Sequence, residues 1–166
     1  MNGVFAKGEA VVYPMHGAGI IEDLEEKNFD GINKNYFVLR LPLGNLTILL
    51  CQDTIQSSNL RHILPQDDIA RIMKETAFLP VPTKPDNWNQ RYKENMEKIK
   101  SGELGQTAAV FHELYHRETQ KGLSGAEKKT LTTARKIVVS EIMLSFNLEK
   151  EAAEVMLENY MRKKSK

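Results

Sequence analysis

The sequence predicts an α+β protein of two domains, a small antiparallel β-barrel followed by an all-α domain of four to five helices. Apolar residues follow the two-residue period of strands over the first 64 positions and the longer period of helices from Gln66 onward. Pro80, Pro82 and Pro85 then interrupt the chain, and three prolines so close together end a helix and form a stiff connector. We therefore divide the chain into residues 1–64, a helix and proline-rich linker at 65–85, and residues 86–166.

Short strands separated by glycine and asparagine fill the first of these segments. In one of them Phe37, Leu39 and Leu41 share a face, because alternate side chains of a strand point to opposite sides. The short spacings require hairpins between strands, not crossover helices. About five such strands suit a barrel of the SH3 or Tudor type, which leaves no exposed strand edge. The predicted strands are Ala10–Pro14, Gly19–Leu24, Tyr36–Leu41, Leu46–Leu50 and a possible fifth at Leu60–Leu64.

Helices are predicted for the rest of the chain. Gln66, Asp67 and Asp68 can cap the first of them, whose apolar residues recur at helical spacing. Ser124 and Glu127 match a capping box, in which each side chain accepts a hydrogen bond from the other's backbone N–H. Beyond the linker the predicted helices are Asp86–Ser101, Gly105–Lys121, Ser124–Phe146 and Leu148–Arg162.

Composition excludes several classes of protein. With 41% hydrophobic and 27% charged residues, the 166-residue chain is typical of a soluble globular protein. It has no apolar run near the roughly 18 residues of a membrane span and no signal-peptide pattern, so we expect a cytoplasmic protein without membrane contact. Its single cysteine, Cys51, excludes an internal disulfide and a cysteine metal cluster. A monomer is expected, since no heptad pattern is present.

The charge is distributed unevenly between the two halves. Residues 1–80 carry 7 Lys and Arg against 10 Asp and Glu, whereas residues 81–166 carry 16 against 12. Only the second half is therefore suited to an anionic partner, and the excess is modest. Charge alone does not establish nucleic-acid binding.

One motif could belong to a zinc hydrolase. His112, Glu113 and His116 satisfy the HExxH pattern, and two histidines four residues apart share one side of a helix. Such a site also needs a third protein ligand, for which Glu141 is the candidate, and an open cleft in which a carboxylate activates water. Surface histidines beside an apolar helix stripe explain the same residues with fewer requirements.

Trp88, the only tryptophan, begins a polar and basic helix directly after the linker. Its spacing from Tyr92, Met96 and Ile99 forms one helical stripe, which favours a packing role. Its place in the first turn, close to cations, instead fits an apolar wedge that enters a DNA groove and separates base steps. The periodicity leaves both interpretations open.

Two regions of the chain carry motifs whose order and spacing are distinctive together. The first is Phe5-x-x-Gly8-x-x-Val11-Val12-Tyr13-Pro14-x-His16-Gly17, then Gly31 and the strand Tyr36-Phe37-Val38-Leu39. The second is Asn87-Trp88-x-x-Arg91-Tyr92-Lys93, then Ile99-x-Ser101-Gly102 and Gly122-Leu123-Ser124-x-x-Glu127-Lys128. With these motifs the chain resembles the CarD/CdnL transcription regulators of bacteria, and its N-terminal region also resembles the polymerase-interacting module of transcription-repair coupling factors.

The resemblance implies a regulator without enzymatic activity or cofactor, which docks on the RNA polymerase β subunit and meets promoter DNA largely independently of sequence. The tryptophan matching Trp88 would enter the minor groove at the upstream edge of the transcription bubble and stabilise the open complex. Carried over by position, the remaining roles are phosphate contacts for Arg91, Lys93 and Lys128, and polymerase contacts for Lys27, Phe29 and Leu49.

Two positions depart from well-known members of that family, which have arginine where this chain has Leu49 and Gln90. The resemblance therefore implies a more apolar docking surface here and DNA binding that is weaker or depends on a partner. A second functional hypothesis is an adaptor whose barrel binds a protein partner without any DNA role.

Overall fold

The computed structural model describes residues 5–81 and 87–162, and its N-terminal sheet and C-terminal helices confirm the predicted α+β class. Between the fourth and fifth strands lies a 3-10 helix, Gln52–Ser58. The strands are β1 Ala10–Tyr13, β2 Gly17–Phe29, β3 Ile32–Leu41, β4 Leu46–Cys51 and β5 Arg61–His62. The helices are α1 Gln66–Ala77, α2 Trp88–Lys100, α3 Leu104–Gln120, α4 Gly125–Phe146 and α5 Lys150–Arg162.

The strands form one antiparallel sheet in the order β4-β3-β2-β1-β5. Sequential strands pair as hairpins, as predicted, and β5 adds to the free edge of β1. The predicted closed barrel is not observed, because within residues 5–81 no ladder joins β4 to β5. The strand expected at Leu60–Leu64 is shorter and spans only Arg61–His62. This short strand pairs with β1 and not with β4, so the sheet stays open.

The hairpin of β2 and β3 is much longer than predicted. Asp30 and Gly31 take positive φ angles of 53° and 80° and form a two-residue turn, so that Phe29 pairs with Ile32. Apart from Phe29 and Ile32, the residues next to the turn are mostly polar and lack the alternation that identifies a strand from sequence. Their ladder follows instead from the Asp-Gly turn, a strong local signal for a hairpin.

A core of the sheet lies on one of its faces. Val11, Ile21, Phe37, Leu39 and Leu50 are among the buried residues that form it. The face on which Phe37, Leu39 and Leu41 were expected to lie together is thus the packed face of the sheet.

The helices have a second core, to which α1 contributes Ile69 and Met73. Helix α1 packs against α3, α4 and α5, so it belongs structurally with the helices, although the sequence suggested a helix and linker at 65–85. Pro82, Pro85 and the expected helix start at Asp86 lie outside the described residues. Across residues 5–81 and 87–162, no helix combines the length and apolarity needed to cross a membrane.

Candidate nucleic-acid and partner interfaces

The start of α2 is fixed by a side-chain cap. The Asn87 side-chain oxygen accepts hydrogen bonds from the backbone N–H groups of Asn89 and Gln90, at 2.9 and 3.3 Å. A cap of this kind satisfies donors that the helix itself cannot pair. It makes Trp88 the first residue of α2.

Two neighbours orient the Trp88 ring. Its Nε1–H donates a hydrogen bond to Ser124 Oγ over 3.0 Å, and its plane stacks on Tyr92 with an interplanar angle of 10°. Ser124 is itself the N-cap of α4, where its hydroxyl oxygen also accepts from the Glu127 N–H. The indole is therefore held by the beginnings of two helices.

The Trp88 side chain is nevertheless not enclosed. Trp88 remains 41% exposed, whereas Ile99 in the same stripe is 1% exposed and lies in the helical core. Tyr92 and Met96 are half-buried between these two extremes. The stripe thus fastens α2 at its far end and leaves the tryptophan at the surface, which combines features of both interpretations made from the sequence.

Arg91 forms an ion pair with Glu127 on α4. Its Nε lies 2.6 Å from Glu127 Oε2 and its Nη2 lies 3.1 Å from Oε1, with the two side chains only 11% and 4% exposed. This two-point pairing turns the guanidinium toward α4. In this arrangement Arg91 joins α2 to α4, and its expected phosphate contact stays a prediction. The Glu127 carboxylate, expected in the capping box, takes Arg91 as its partner.

Lys93 and Lys128 have exposed positions on α2 and α4. Gln90 is also exposed, and its side-chain amide donates to Glu94 over 3.0 Å. A groove of about 550 Å³ adjoins the tryptophan's stacking partner and contains one further lysine. It is lined by Met15, Tyr92, Met96, Gly125, Ala126, Lys129, Thr130 and Thr133. Arg91 apart, the cations proposed for DNA thus lie on the outer surfaces of the helices that hold Trp88.

The sheet brings its three expected contact residues to one face. Leu49 pairs with Val38, and Lys27 pairs with Lys34. Val38 and Lys34 are four residues apart on β3 and therefore lie on the same face of the sheet. Phe29 alternates with Lys27 and therefore shares this side, opposite the packed face of the sheet. We call the surface formed by Lys27, Phe29 and Leu49 the docking face.

The docking face has members that the sequence did not identify. Ile32 pairs with Phe29 across the Asp-Gly turn, and the two are 59% and 55% exposed. Tyr36 meets the Phe29 ring edge-on at 5.7 Å. Leu49 is 44% exposed, and the Lys27 ammonium lies 3.1 Å from Glu25. The signal that could have revealed Ile32 and Tyr36 is the register set by the two-residue turn.

Two of the candidate zinc ligands, His112 and Glu141, are hydrogen-bonded to other groups. His112 is 1% exposed, and its Nε2 lies 2.8 Å from the Leu79 carbonyl oxygen, a spacing at which the ring donates the hydrogen bond. Glu141 accepts two hydrogen bonds from the Arg61 guanidinium. Within the described ranges, no three His, Cys, Asp or Glu side chains are grouped so that they could hold a metal ion. The structure thus gives the zinc hypothesis no supporting geometry.

Two family models and a curated relative match this chain. Residues 5–64 match the family described as "CarD-like/TRCF RID domain", and residues 71–158 match the family described as "CarD, C-terminal domain". A protein of Bacillus subtilis (strain 168) described as "Putative transcription factor YdeB" is 37% identical over 145 residues, which cover 84% of this chain and 90% of that protein. The matches span both the sheet and the helices.

Proposed function

This chain belongs to the CarD family of transcription factor-like proteins, and on that premise we propose that it binds RNA polymerase and stabilises the promoter open complex. The sheet supplies the contact with polymerase. The helices supply the contact with DNA. The observation that carries the proposal is the half-exposed Trp88 ring, oriented by Ser124 and Tyr92.

The docking face is suited to a protein partner. Phe29 and Ile32 expose more than half of their surface beside a paired lysine and glutamate, and Leu49 adds an apolar side chain from the neighbouring strand. Exposed aromatic and aliphatic side chains within a polar rim are typical of a protein interface. The family match of this domain supports RNA polymerase as the partner. The β subunit is the part of polymerase that the family resemblance implies.

Trp88 is suited to act as a wedge at the upstream edge of the bubble. Separating a base step costs on the order of a few kcal/mol, and an inserted apolar ring offsets part of that cost. Because the indole is already held by Ser124 and Tyr92, little side-chain entropy is lost when it enters the minor groove. The edge of a bubble is also where base pairs are already opening.

Lys93 and Lys128, both exposed, would supply contacts with phosphates near the wedge. Such contacts set the position of a protein on DNA without reading base sequence. Attachment to polymerase raises the local concentration of the helices at the promoter, so weak DNA affinity is sufficient. The expected partner is therefore promoter DNA of little sequence preference.

The test is the half-life of the open complex after addition of a competitor that traps free polymerase. We expect the natural protein to lengthen this half-life and Trp88→Ala to remove most of the gain while its binding to the β subunit is retained. The partially exposed position of Trp88 means that the variant should remain folded. Circular dichroism of both proteins provides the control.

The adaptor hypothesis predicts a different result from the same experiment. If the protein binds polymerase but Trp88→Ala prolongs the open complex as well as the natural protein does, the contact with polymerase acts without the tryptophan. A large loss of thermal stability in Trp88→Ala would return the residue to a packing role.

A further inference from the structure

A buried ion pair connects the sheet to the helices. The Arg61 guanidinium on β5 donates to both carboxylate oxygens of Glu141 on α4, at 2.7 and 2.8 Å. The Glu141 side chain is 0% exposed, and one of its oxygens also accepts the Leu64 N–H at 2.8 Å. Three hydrogen bonds therefore fix this carboxylate.

Arg61 contacts a second element of the helical domain. Its Nε donates to the Gly102 carbonyl oxygen over 2.7 Å, at the turn between α2 and α3. One side chain of the sheet thus binds α4 and the end of α2 at the same time. Because α2 begins with Trp88, this contact ties the sheet to the helix that presents the tryptophan.

Two close approaches of backbone reinforce the connection. The Ala18 N–H donates to Ser140 Oγ over 2.8 Å, and a Cβ added to the neighbouring Gly17 would lie 2.8 Å from that same hydroxyl. A Cβ on Gly102 would lie 2.9 Å from Pro14 Cγ. Both glycines also have positive φ angles, so a side chain at either position would be strained and would force neighbouring atoms to shift.

We propose that Arg61 and Glu141 are positioning residues that hold Trp88 at a fixed distance and angle from the docking face. The sheet and the helices then keep one fixed relative orientation, and we call this arrangement a rigid bracket. The alternative is two domains joined by a flexible tether. This inference rests on the proposed function, because it states how the two contacts of that function are combined.

A rigid bracket has a different physical consequence from a tether. A short flexible connection would hold Trp88 near its DNA site at an effective concentration in the millimolar range. The tryptophan would still sample many orientations before it reached the bound one. Fixing the orientation removes that search and makes the bound geometry the resting geometry. Loss of the ion pair should therefore leave the separate affinities for polymerase and for DNA intact. It should reduce the gain in open-complex half-life, which needs both contacts at the same time.

Variants can separate orientation from folding. Arg61→Ala leaves a buried, unpaired carboxylate, which can reduce folding on its own account. Arg61→Met combined with Glu141→Leu removes both charges and keeps the site filled, a replacement that is often tolerated. Glu141→Gln retains the shape of the side chain but removes the negative charge, and its amide NH2 would face at least one N–H donor of Arg61 or Leu64.

The readouts are the distance between the two halves and the half-life of the open complex. Spin labels at Asn33 and Lys100, both exposed, report the distance in a Cys51→Ser background. We expect a single narrow distance between the labels when Arg61 and Glu141 are both present. In the double variant Arg61→Met, Glu141→Leu we expect a broad distribution of distances. Affinities for the isolated β lobe and for forked DNA should stay within about 2-fold, whereas the half-life gain should fall on the order of 10-fold.

Each outcome decides between the alternatives. A narrow distance in the double variant would show that the pair does not set the orientation, and a broad distance with an unchanged half-life would show that rigidity is not needed. Failure of the proposed function gives a different result. In that case the protein with Arg61 and Glu141 intact shows a narrow distance between the labels but does not lengthen the half-life of the open complex. Trp88→Ala is the matched control, since it should lose the gain and keep the narrow distance.

Discussion

The indole Nε1–H of Trp88 donates a 3.0 Å hydrogen bond to the Oγ of Ser124, which joins the first residue of α2 to the N-cap of α4. The same hydroxyl oxygen accepts the Glu127 N–H. One serine therefore begins a helix and orients the exposed aromatic ring beside it.

Ser124→Ala should affect both stability and the open complex. Loss of an N-cap costs about 0.5–2 kcal/mol in the free energy of unfolding. Without its acceptor, the ring is free to rotate, so the gain in open-complex half-life should also decrease. Denaturant unfolding and the half-life assay measure the two effects. Ser124→Thr is the matched control, because threonine keeps the hydroxyl and should retain both properties.

Arg91→Ala should be much more destabilising than an ordinary surface substitution. It would leave the Glu127 carboxylate, 4% exposed, without its ion-pair partner. Breaking a buried pair in this way costs about 3–5 kcal/mol. Lys93→Ala, on the exposed side of the same helix, should change the free energy of unfolding little. Equal stability of the two variants would contradict the structural role given to Arg91.

Lys93→Ala and Lys128→Ala should each weaken binding to forked DNA and lower its dependence on salt. A lost phosphate contact reduces the slope of log affinity against log salt concentration by about one unit. Titrations at several salt concentrations measure this slope. Lys27→Ala, on the docking face, serves as a control of equal charge change and should leave the slope unaltered.

Leu49→Glu should weaken binding to the polymerase β lobe, because it places a charge in the apolar part of the docking face. The exposed position of Leu49 should allow the variant to fold. Leu46 lies on the same strand with the same 44% exposure, but it pairs with Leu41 and faces the other side of the sheet. Leu46→Glu should therefore leave the affinity nearly unchanged, and equal losses in both variants would argue against the docking face.

Much of the fold could be predicted from periodicity and capping residues. The starts of α3 and α4 fall within one residue of their expected positions, because Gly102, Gly122 and the Ser124 cap mark helix ends locally. The long β2-β3 hairpin was underestimated, since its polar residues pair through backbone groups that carry no apolar signal. The open edge between β4 and β5 depends on distant pairing and could not be inferred from local sequence.

For the candidate site, the sequence identified Trp88 but not the side chains that it contacts. The prominence of Trp88 could be recognised from its position after the prolines, and its exposure agrees with a surface role. Its hydrogen bond with Ser124 and the burial of Arg91 against Glu127 connect residues 36 positions apart, and no local pattern reveals such contacts. The Arg61 and Glu141 pair, 80 positions apart, is a tertiary contact of the same kind.

Insertion of Trp88 into the DNA can be followed with 2-aminopurine placed at the base step on the upstream edge of the bubble, whose fluorescence rises when the base is unstacked. In open complexes with polymerase, the natural protein should raise this fluorescence above that of polymerase alone. Trp88→Ala should bind the complex without the additional rise. An equal rise with Trp88→Ala and with the natural protein would contradict the wedge, since the base step would then open without the tryptophan.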